Sequence, residues 1–296
     1  MEIVEVGPRD GLQNEKRVLS TAVKVSYVRR AIEAGLRRIE VAAFARPDRV
    51  PQMADAEEVL RAVPRTGEIS YIALILNGKG LDRALALEDA RPDEINYVVV
   101  ASDEFSRRNQ GMSTADSLAA FGKVADKARN NGLRVTLTIA AAFGCPFTGE
   151  VDIRNVGEIA QGAGVLDEIC LADTIGVGVP HQVAELVDAV KRDGVTLRAH
   201  FHNTRNTGYA NAVAAVRAGV EALDSSIGGI GGCPFAPAAT GNIATEDLAY
   251  LLRRSKVETG VDVTRAATAG VWIGERLGLR EVPAQLGRAG DFPLAS

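Results

Sequence analysis

The sequence predicts an α/β chain: a (β/α)8 TIM barrel with additional C-terminal helices. Three observations carry that expectation. Eight short β-rich runs alternate with longer segments of helical spacing, no linker-like stretch divides the chain, and polar or ionisable residues recur where nearly every strand candidate ends. A doubly wound sheet is the alternative architecture for the same alternation.

The strand candidates are Ile3–Val6, Arg38–Phe44, Ile69–Leu76, Ile95–Ala101, Leu133–Ala140, Glu168–Ala172, Leu197–His202 and Ala222–Ile227. Between them, helical spacing runs over Ala22–Ala34, Ala54–Ala62, Gly80–Ala90, Thr114–Asn130, Ile153–Gln161, His181–Lys191 and Asn206–Ala218, with an eighth helix at Thr245–Arg254. Gly35, Gly132, Gly194 and Gly219 stand just past periodic runs, where a helix reverses its backbone. The barrel is expected over residues 1–260. Residues 261–296 read as a helical extension packed on it, within the same domain.

Composition excludes several functions. Hydrophobic residues make up 46% of the 296 and charged residues 24%, which suits a globular chain with a sizeable core. A net charge of −4 leaves no basic excess to displace counterions from nucleic acid or an anionic membrane. No apolar run approaches the roughly 20 residues of a spanning helix, and the start, "MEIVEVGPRDG", enters a strand directly rather than a signal-like region. Cys145, Cys170 and Cys233 are too scattered for a disulfide framework or a zinc knuckle, so a reducing cytoplasm is expected.

The strand ends supply the chemistry: Arg9 and Asp10, Glu40, Asn77, Ser102, Asp173, His200 and His202, then Ser225 and Ser226. In "RAHFHNTRNTG", alternation puts His200, His202 and Arg198 on one face and Leu197, Ala199 and Phe201 on the other. If the apolar face meets the helices, both histidines point to the barrel axis. Two adjacent imidazoles that both charge would repel; a divalent cation holds both neutral. Asp10, in "GPRDGLQNE", is either a turn residue or a cation ligand, and Arg9 beside it is suited to an oxyanion. Glu40 inside the second strand needs a partner; Arg9 on the neighbouring strand end is suited to it, as a structural ion pair or as part of the chemistry. Asp173, in "CLADTIGVGVP", either caps its turn or serves the site.

The glycine-rich loop 225–242, "SSIGGIGGCPFAPAATGN", lacks the G-x-x-x-x-G-K-[ST] phosphate pattern and suits a lid. Cys233 in it is an incidental small residue or a proton donor; Asn242 at its end is a helix cap or a metal ligand. Cys145 and Cys170 are assigned to packing. A ligand set of imidazole, carboxylate and amide without thiolate points to Mg²⁺ or Mn²⁺, with zinc still open. Such a cation, an arginine and a loop proton donor fit chemistry through an enolate.

"VEVGPRDGLQNE", "VPQMAD", "ADTIGVGVP", the H-x-H strand and "GGIGGCPFAPAATGNIATEDL" together resemble the 3-hydroxy-3-methylglutaryl-CoA lyase family, divalent-metal barrel lyases with an R-D-G motif. The resemblance extends from the first strand to about Gly260. It implies a metal held by Asp10, His200, His202 and Asn242. Arg9 would stabilise the enolate oxygen, with Cys233 on the loop and Glu40 and Asp173 as acid–base or orienting groups. Gln13 and Arg9 would contact substrate, and His200 would serve catalysis as well as the metal; Asn203, where the chain departs from the family pattern, is a further candidate substrate contact. The implied reaction is a retro-Claisen cleavage giving acetyl-CoA and acetoacetate, of the kind used in leucine degradation and ketone-body formation. A CoA thioester is the expected partner, and a homodimer a family-level expectation.

Two segments depart from the family pattern. The family usually follows H-x-H with Asp-Thr-Tyr-Gly, where this chain has Asn203, Thr204, Arg205 and Asn206. After the second strand it usually has Ser-Phe-Val-Ser-Pro-Lys; this chain has Ala43, Phe44, Ala45, Arg46, Pro47 and Asp48. Both lie where an acyl group could be contacted, so a lyase for citramalyl-CoA or a longer 3-alkyl homologue is the alternative. A condensing synthase of the isopropylmalate or homocitrate kind fits less well, since those usually carry a further C-terminal domain.

Overall fold

The computed structural model describes residues 1–232 and 241–293. Eight parallel strands form a closed barrel, each paired with the next and the eighth with the first. They are β1 (Glu2–Glu5), β2 (Arg38–Phe44), β3 (Ser70–Ile75), β4 (Glu94–Val100), β5 (Arg134–Ala140), β6 (Glu168–Asp173), β7 (Thr196–Phe201) and β8 (Ala222–Ser225). Helices α1 (Thr21–Glu33), α2 (Ala56–Ala62) and α3 (Gly78–Leu85) follow the first three strands. After β4 come α4 (Asp103–Gln110) and α5 (Thr114–Asn130). Then α6 (Ile153–Gly162), α7 (Pro180–Val190), α8 (Gly208–Ala218) and α9 (Thr245–Arg254) complete the ring.

Helix α4 is absent from the reading of periodicity, because "DEFSRRNQ" has almost no apolar face. Capping and charge hold it instead. Ser102 accepts a hydrogen bond from the Phe105 N–H, Gly111 closes the helix at φ 74°, and Asp103–Arg107 and Glu104–Arg108 pair one turn apart.

Beyond the barrel, α10 (Val263–Leu277) packs against α1 and α9, with Tyr27 and Trp272 rings 6.5 Å apart. A short α11 (Leu286–Ala289) follows, its backbone N–H at Leu286 held by Asp247 at 2.8 Å. Among the described residues no helix is long and apolar enough to cross a membrane.

Every residue of β2 and β6 is buried, since one face of each strand meets helices and the other fills the barrel. The lower barrel interior is ionic. Arg38 donates to both oxygens of Glu94 at 2.9 and 2.6 Å and to both oxygens of Glu168 at 2.8 and 2.7 Å. Thr136 adds a bond to Glu94 at 2.6 Å. These charges are buried but mutually paired, the condition under which burial is tolerated.

Five strands end earlier than expected, β1, β3, β4 and β7 by one residue and β8 by two. β8 stops at Ser225 rather than Ile227, because residues 227–229 close a tight turn with Gly228 at φ 82°. β7 stops at Phe201 rather than His202. His202 instead forms an isolated antiparallel bridge with Asn242, where the glycine-rich loop returns across the barrel mouth. The Asn203 N–H donates to the Gly241 carbonyl at 2.7 Å and the Ile243 N–H to the Phe201 carbonyl at 3.3 Å, so this crossing is tightly tied.

Candidate active site

The site is assembled by β1, β7 and the returning end of the glycine loop. After β1, "GPRDG" is not the simple turn its glycines suggest. It winds into a short helical turn in which the Val6 carbonyl accepts from the N–H groups of Arg9, Asp10 and Gly11. That winding sends Arg9 and Asp10 toward the mouth. The loop fits against it without space to spare: a Cβ at Gly231 would stand 2.7 Å from Gly11 Cα and from Asn242 Nδ2, and one at Gly241 would stand 1.8 Å from the Gly231 carbonyl oxygen. Glycine at these positions serves close backbone approach, not a phosphate cradle.

One ligand atom from each of Asp10, His200 and His202 lies within 4.8 Å of the others. The imidazole centroids are 5.1 Å apart. Asn242 donates from Nδ2 to Asp10 Oδ2 at 2.9 Å and to the Ile230 carbonyl at 3.1 Å, which joins it to the same cluster. It caps no helix; α9 begins after Ala244. Asn242 Oδ1 and His202 Nδ1 are buried without a hydrogen-bond partner. Buried lone pairs rarely go unmatched, and a carboxylate, two imidazoles and an amide oxygen are all cation donors. This group of residues fits a divalent metal ion.

His200 Nδ1 lies 3.2 Å from Asp224 Oδ2, so the tautomer with the proton on Nδ1 frees Nε2 for the site. The two imidazoles differ in proton affinity. Burial pushes His202 down to about 4, helped by His200 beside it. Burial also acts against charged His200, but the hydrogen bond to Asp224 and the charge of Asp10 outweigh it and raise its affinity. Burial would raise Asp10, yet the Arg9 guanidinium and then the two histidines hold its carboxyl far below the usual carboxylate range.

Arg9 is clamped. Its Nε and Nη2 donate to Glu40 Oε2 at 2.8 and 2.5 Å, and its Nη1 donates to Asp10 Oδ1 at 2.8 Å. The Arg9–Glu40 pair anticipated from strand adjacency is present, and it leaves N–H groups on Nη1 and Nη2 unengaged by these partners. Asp173 uses both carboxylate oxygens within its own turn, accepting from the Val177 and Gly178 N–H groups at 2.9 Å each. Burial nevertheless raises its proton affinity.

The other strand-end residues divide. Asn77 and Ser102 cap α3 and α4, and the Ser225 hydroxyl meets Thr245 at 2.8 Å. Asn203 accepts the Gly208 N–H at 3.2 Å, tying its loop to the start of α8, and Gln13 is half-buried just after the first turn. Arg205 donates to the Ile175 and Gly176 carbonyls at 3.1 and 2.9 Å, bracing the loop that carries Asp173. Ala43 and Ala45 are buried, while Arg46 and Asp48 form an exposed pair. Cys145 and Cys170 are buried free thiols, and Cys233 lies outside the described residues.

Four residues important to the geometry were not anticipated. Asp224 sits in register with His200 across β7 and β8, and alternation along β8 was the signal that could have placed it inside. Asn96 donates to Glu40 Oε1 at 3.0 Å. Glu5 accepts from the Gly7 and Ile227 N–H groups at 2.8 and 3.0 Å and from the Thr245 hydroxyl at 2.7 Å, and Glu246 accepts from the Gly228 N–H at 3.0 Å. Both glutamates are buried and anchor the root of the glycine loop.

A family model described as HMGL-like matches residues 1–272. The chain belongs to the HMGL-like family. This is a divalent-metal enzyme family, and the chain is a carbon–carbon lyase acting on a hydroxyacyl-CoA thioester, as its relatives are. The chain is 43% identical to the (R)-citramalyl-CoA lyase of Chloroflexus aurantiacus, over 97% of this chain and 94% of that one. It is 42% identical to the hydroxymethylglutaryl-CoA lyase of Pseudomonas mevalonii, over 94% and 93%. Its fold matches a solved HMG-CoA lyase from Acinetobacter baumannii, in complex with coenzyme A and 3-methylmalate, with a TM-score of 0.92 at 35% identity, covering 100% of this chain and 96% of that one.

Proposed function

We propose that this HMGL-like protein is a metal-dependent lyase that cleaves 3-hydroxy-3-methylglutaryl-CoA to acetyl-CoA and acetoacetate. The observation that carries the reading is the convergence of Asp10, His200 and His202 beside an arginine already clamped by Glu40. Asp10, His200, His202 and Asn242 would hold the cation, Mg²⁺ or Mn²⁺. When bound, it supplies Lewis acidity to oxygens of the substrate. Arg9 offers its remaining N–H groups to the thioester oxygen as negative charge develops there, and its clamp removes the cost of orienting it at that moment. Asp224 keeps His200 in the tautomer that turns Nε2 to the site. Glu40 orients Arg9, and Asp173 supports proton transfer from the neighbouring turn. Cys233 donates the proton that converts the enolate to the acetyl group, and Gln13 and Asn203 contact the acyl chain.

A second reading has citramalyl-CoA as the substrate. The 43% identity to a citramalyl-CoA lyase favours it. The assay is of purified protein with Mn²⁺ against both thioesters and a longer 3-alkyl homologue. Acetoacetate from 3-hydroxy-3-methylglutaryl-CoA supports the first reading. Pyruvate from citramalyl-CoA, with the former inert, supports the second. Turnover of none of the three would sink both.

A further inference from the structure

We infer that Asn96 and Thr138 are positioning residues for Arg9, acting on it through Glu40; the inference rests on the role proposed for Arg9 above. A hydrogen-bonded chain crosses the barrel mouth from β5 to the end of the glycine loop. Thr138 Oγ1 donates to Asn96 Oδ1 at 2.7 Å, Asn96 Nδ2 donates to Glu40 Oε1 at 3.0 Å, and Arg9 donates to Glu40 Oε2. Arg9 then donates to Asp10, which accepts from Asn242. Glu40, Asn96 and Thr138 are all buried, so none of these links is exchanged for water at low cost.

The direction of each bond follows from the donors available. Arg9 can only donate, so Glu40 must accept at Oε2. Its other oxygen is buried and also needs a donor, which the Asn96 amide provides from Nδ2. An amide turned the other way would set two acceptors against each other. Glu40 therefore fixes the amide with Nδ2 toward it, and the Thr138 hydroxyl holds the other end by donating to Asn96 Oδ1, which satisfies all three side chains at once. With both Glu40 oxygens occupied from opposite sides, the carboxylate cannot rotate, and the Arg9 guanidinium stays in one plane.

Glu94 and Thr136, two residues earlier on the same strands and facing the same interior, belong to a different network: they are tied to Arg38 and not to Arg9. Asn96 and Thr138 are the corresponding pair one layer higher, facing the reaction. Their hydrogen bonds go to Glu40 and to each other and to neither Asp10 nor the histidines, so their loss should leave metal binding alone.

The test uses Thr138→Val, which keeps the volume and removes the donor, Thr138→Ser, which restores it, and Asn96→Leu, which breaks both links. Each is compared with Arg9→Met and with the Arg9→Met/Thr138→Val pair, with saturating 3-hydroxy-3-methylglutaryl-CoA or citramalyl-CoA and with Mn²⁺ titrated separately by calorimetry. Losing one buried hydrogen bond of this kind should lower kcat about tenfold in Thr138→Val, with KM and Mn²⁺ affinity within about twofold of wild type. Thr138→Ser should recover most of that loss, Asn96→Leu should fall in the same direction, and the double variant should be no slower than Arg9→Met alone. Unchanged kcat in Thr138→Val, a loss that serine does not recover, or additive losses in the double variant would each overturn the relay. Full turnover in Arg9→Met would overturn the role of Arg9 itself, and the relay with it.

Discussion

The floor and the mouth of the barrel are both lined by buried ionisable side chains, yet they are built to opposite ends. On the floor, Arg38 spans Glu94 and Glu168 with paired bonds, and the charges answer one another. At the mouth, Asp10, His200, His202 and Asn242 converge while Asn242 Oδ1 and His202 Nδ1 stay unmatched by protein. A closed network adds specificity and rigidity; an open one adds a binding site. Arg198 and Asp224 lie between the two, Arg198 Nε standing 3.3 Å from Glu168 and 3.4 Å from Asp224, and Asp224 reaching His200.

The contrast predicts separable failures. Arg38→Ala leaves buried Glu94 with the Thr136 hydroxyl alone and takes one of its cations from Glu168, and should cost about 3–5 kcal/mol of stability. Chemical denaturation would measure it; a much smaller loss would mean that the floor is not a closed network. The mouth should respond to ligand instead: Mn²⁺ at about a hundredfold over its Kd should stabilise the wild type by about 2.7 kcal/mol, and His202→Ala should lose that increment without losing the fold. Asp224→Asn should weaken Mn²⁺ binding about 10- to 100-fold, because the His200 tautomer is no longer held by a carboxylate. Unchanged Mn²⁺ affinity by calorimetry would move Asp224 from the mouth to the floor.

The root of the glycine loop should have its own pH signature. Burial, working against hydrogen bonds from Thr245, Ile227 and Gly7, raises Glu5 to about 7. Burial likewise raises Glu246 to about 8, against the Gly228 N–H. A carboxyl with raised affinity in the folded state contributes its full stability below the unfolded value of 4.5 and loses it as pH rises through the folded value. The contribution of these two carboxyls should therefore decline between pH 4.5 and 8, and Glu246→Gln should make stability in the upper part of that range fall less steeply than in the wild type. An identical slope in the variant would assign the titration elsewhere.

Much of the barrel was legible in advance because its elements follow periodicity. β2, α5 and α9 begin and end where the pattern of apolar residues says. α4 was not legible from that pattern; its signals were the Ser102 cap, Gly111 and the spaced charge pairs. In the site, His200, His202, Asp10, Arg9 and Glu40 were readable as strand-end residues of unusual chemistry. Asp224, Asn96 and Thr138 were not, since an acid, an amide and a hydroxyl inside strands carry no mark of their partners.

Taken alone, the order of residues determined which side chains face inward, because alternation along a strand is a local property of the backbone. It also determined the reagents available: one arginine beside one aspartate, and two histidines two residues apart. Only the closed barrel decided who meets whom. The pairing of β7 with β8 brings Asp224 to His200, and the span across β3 brings Asn96 to Glu40. The return of the loop through Gly231 and Gly241 sets Asn242 against Asp10. Those contacts depend on register and on close backbone approach over 232 residues of chain, distances at which local pattern carries no information.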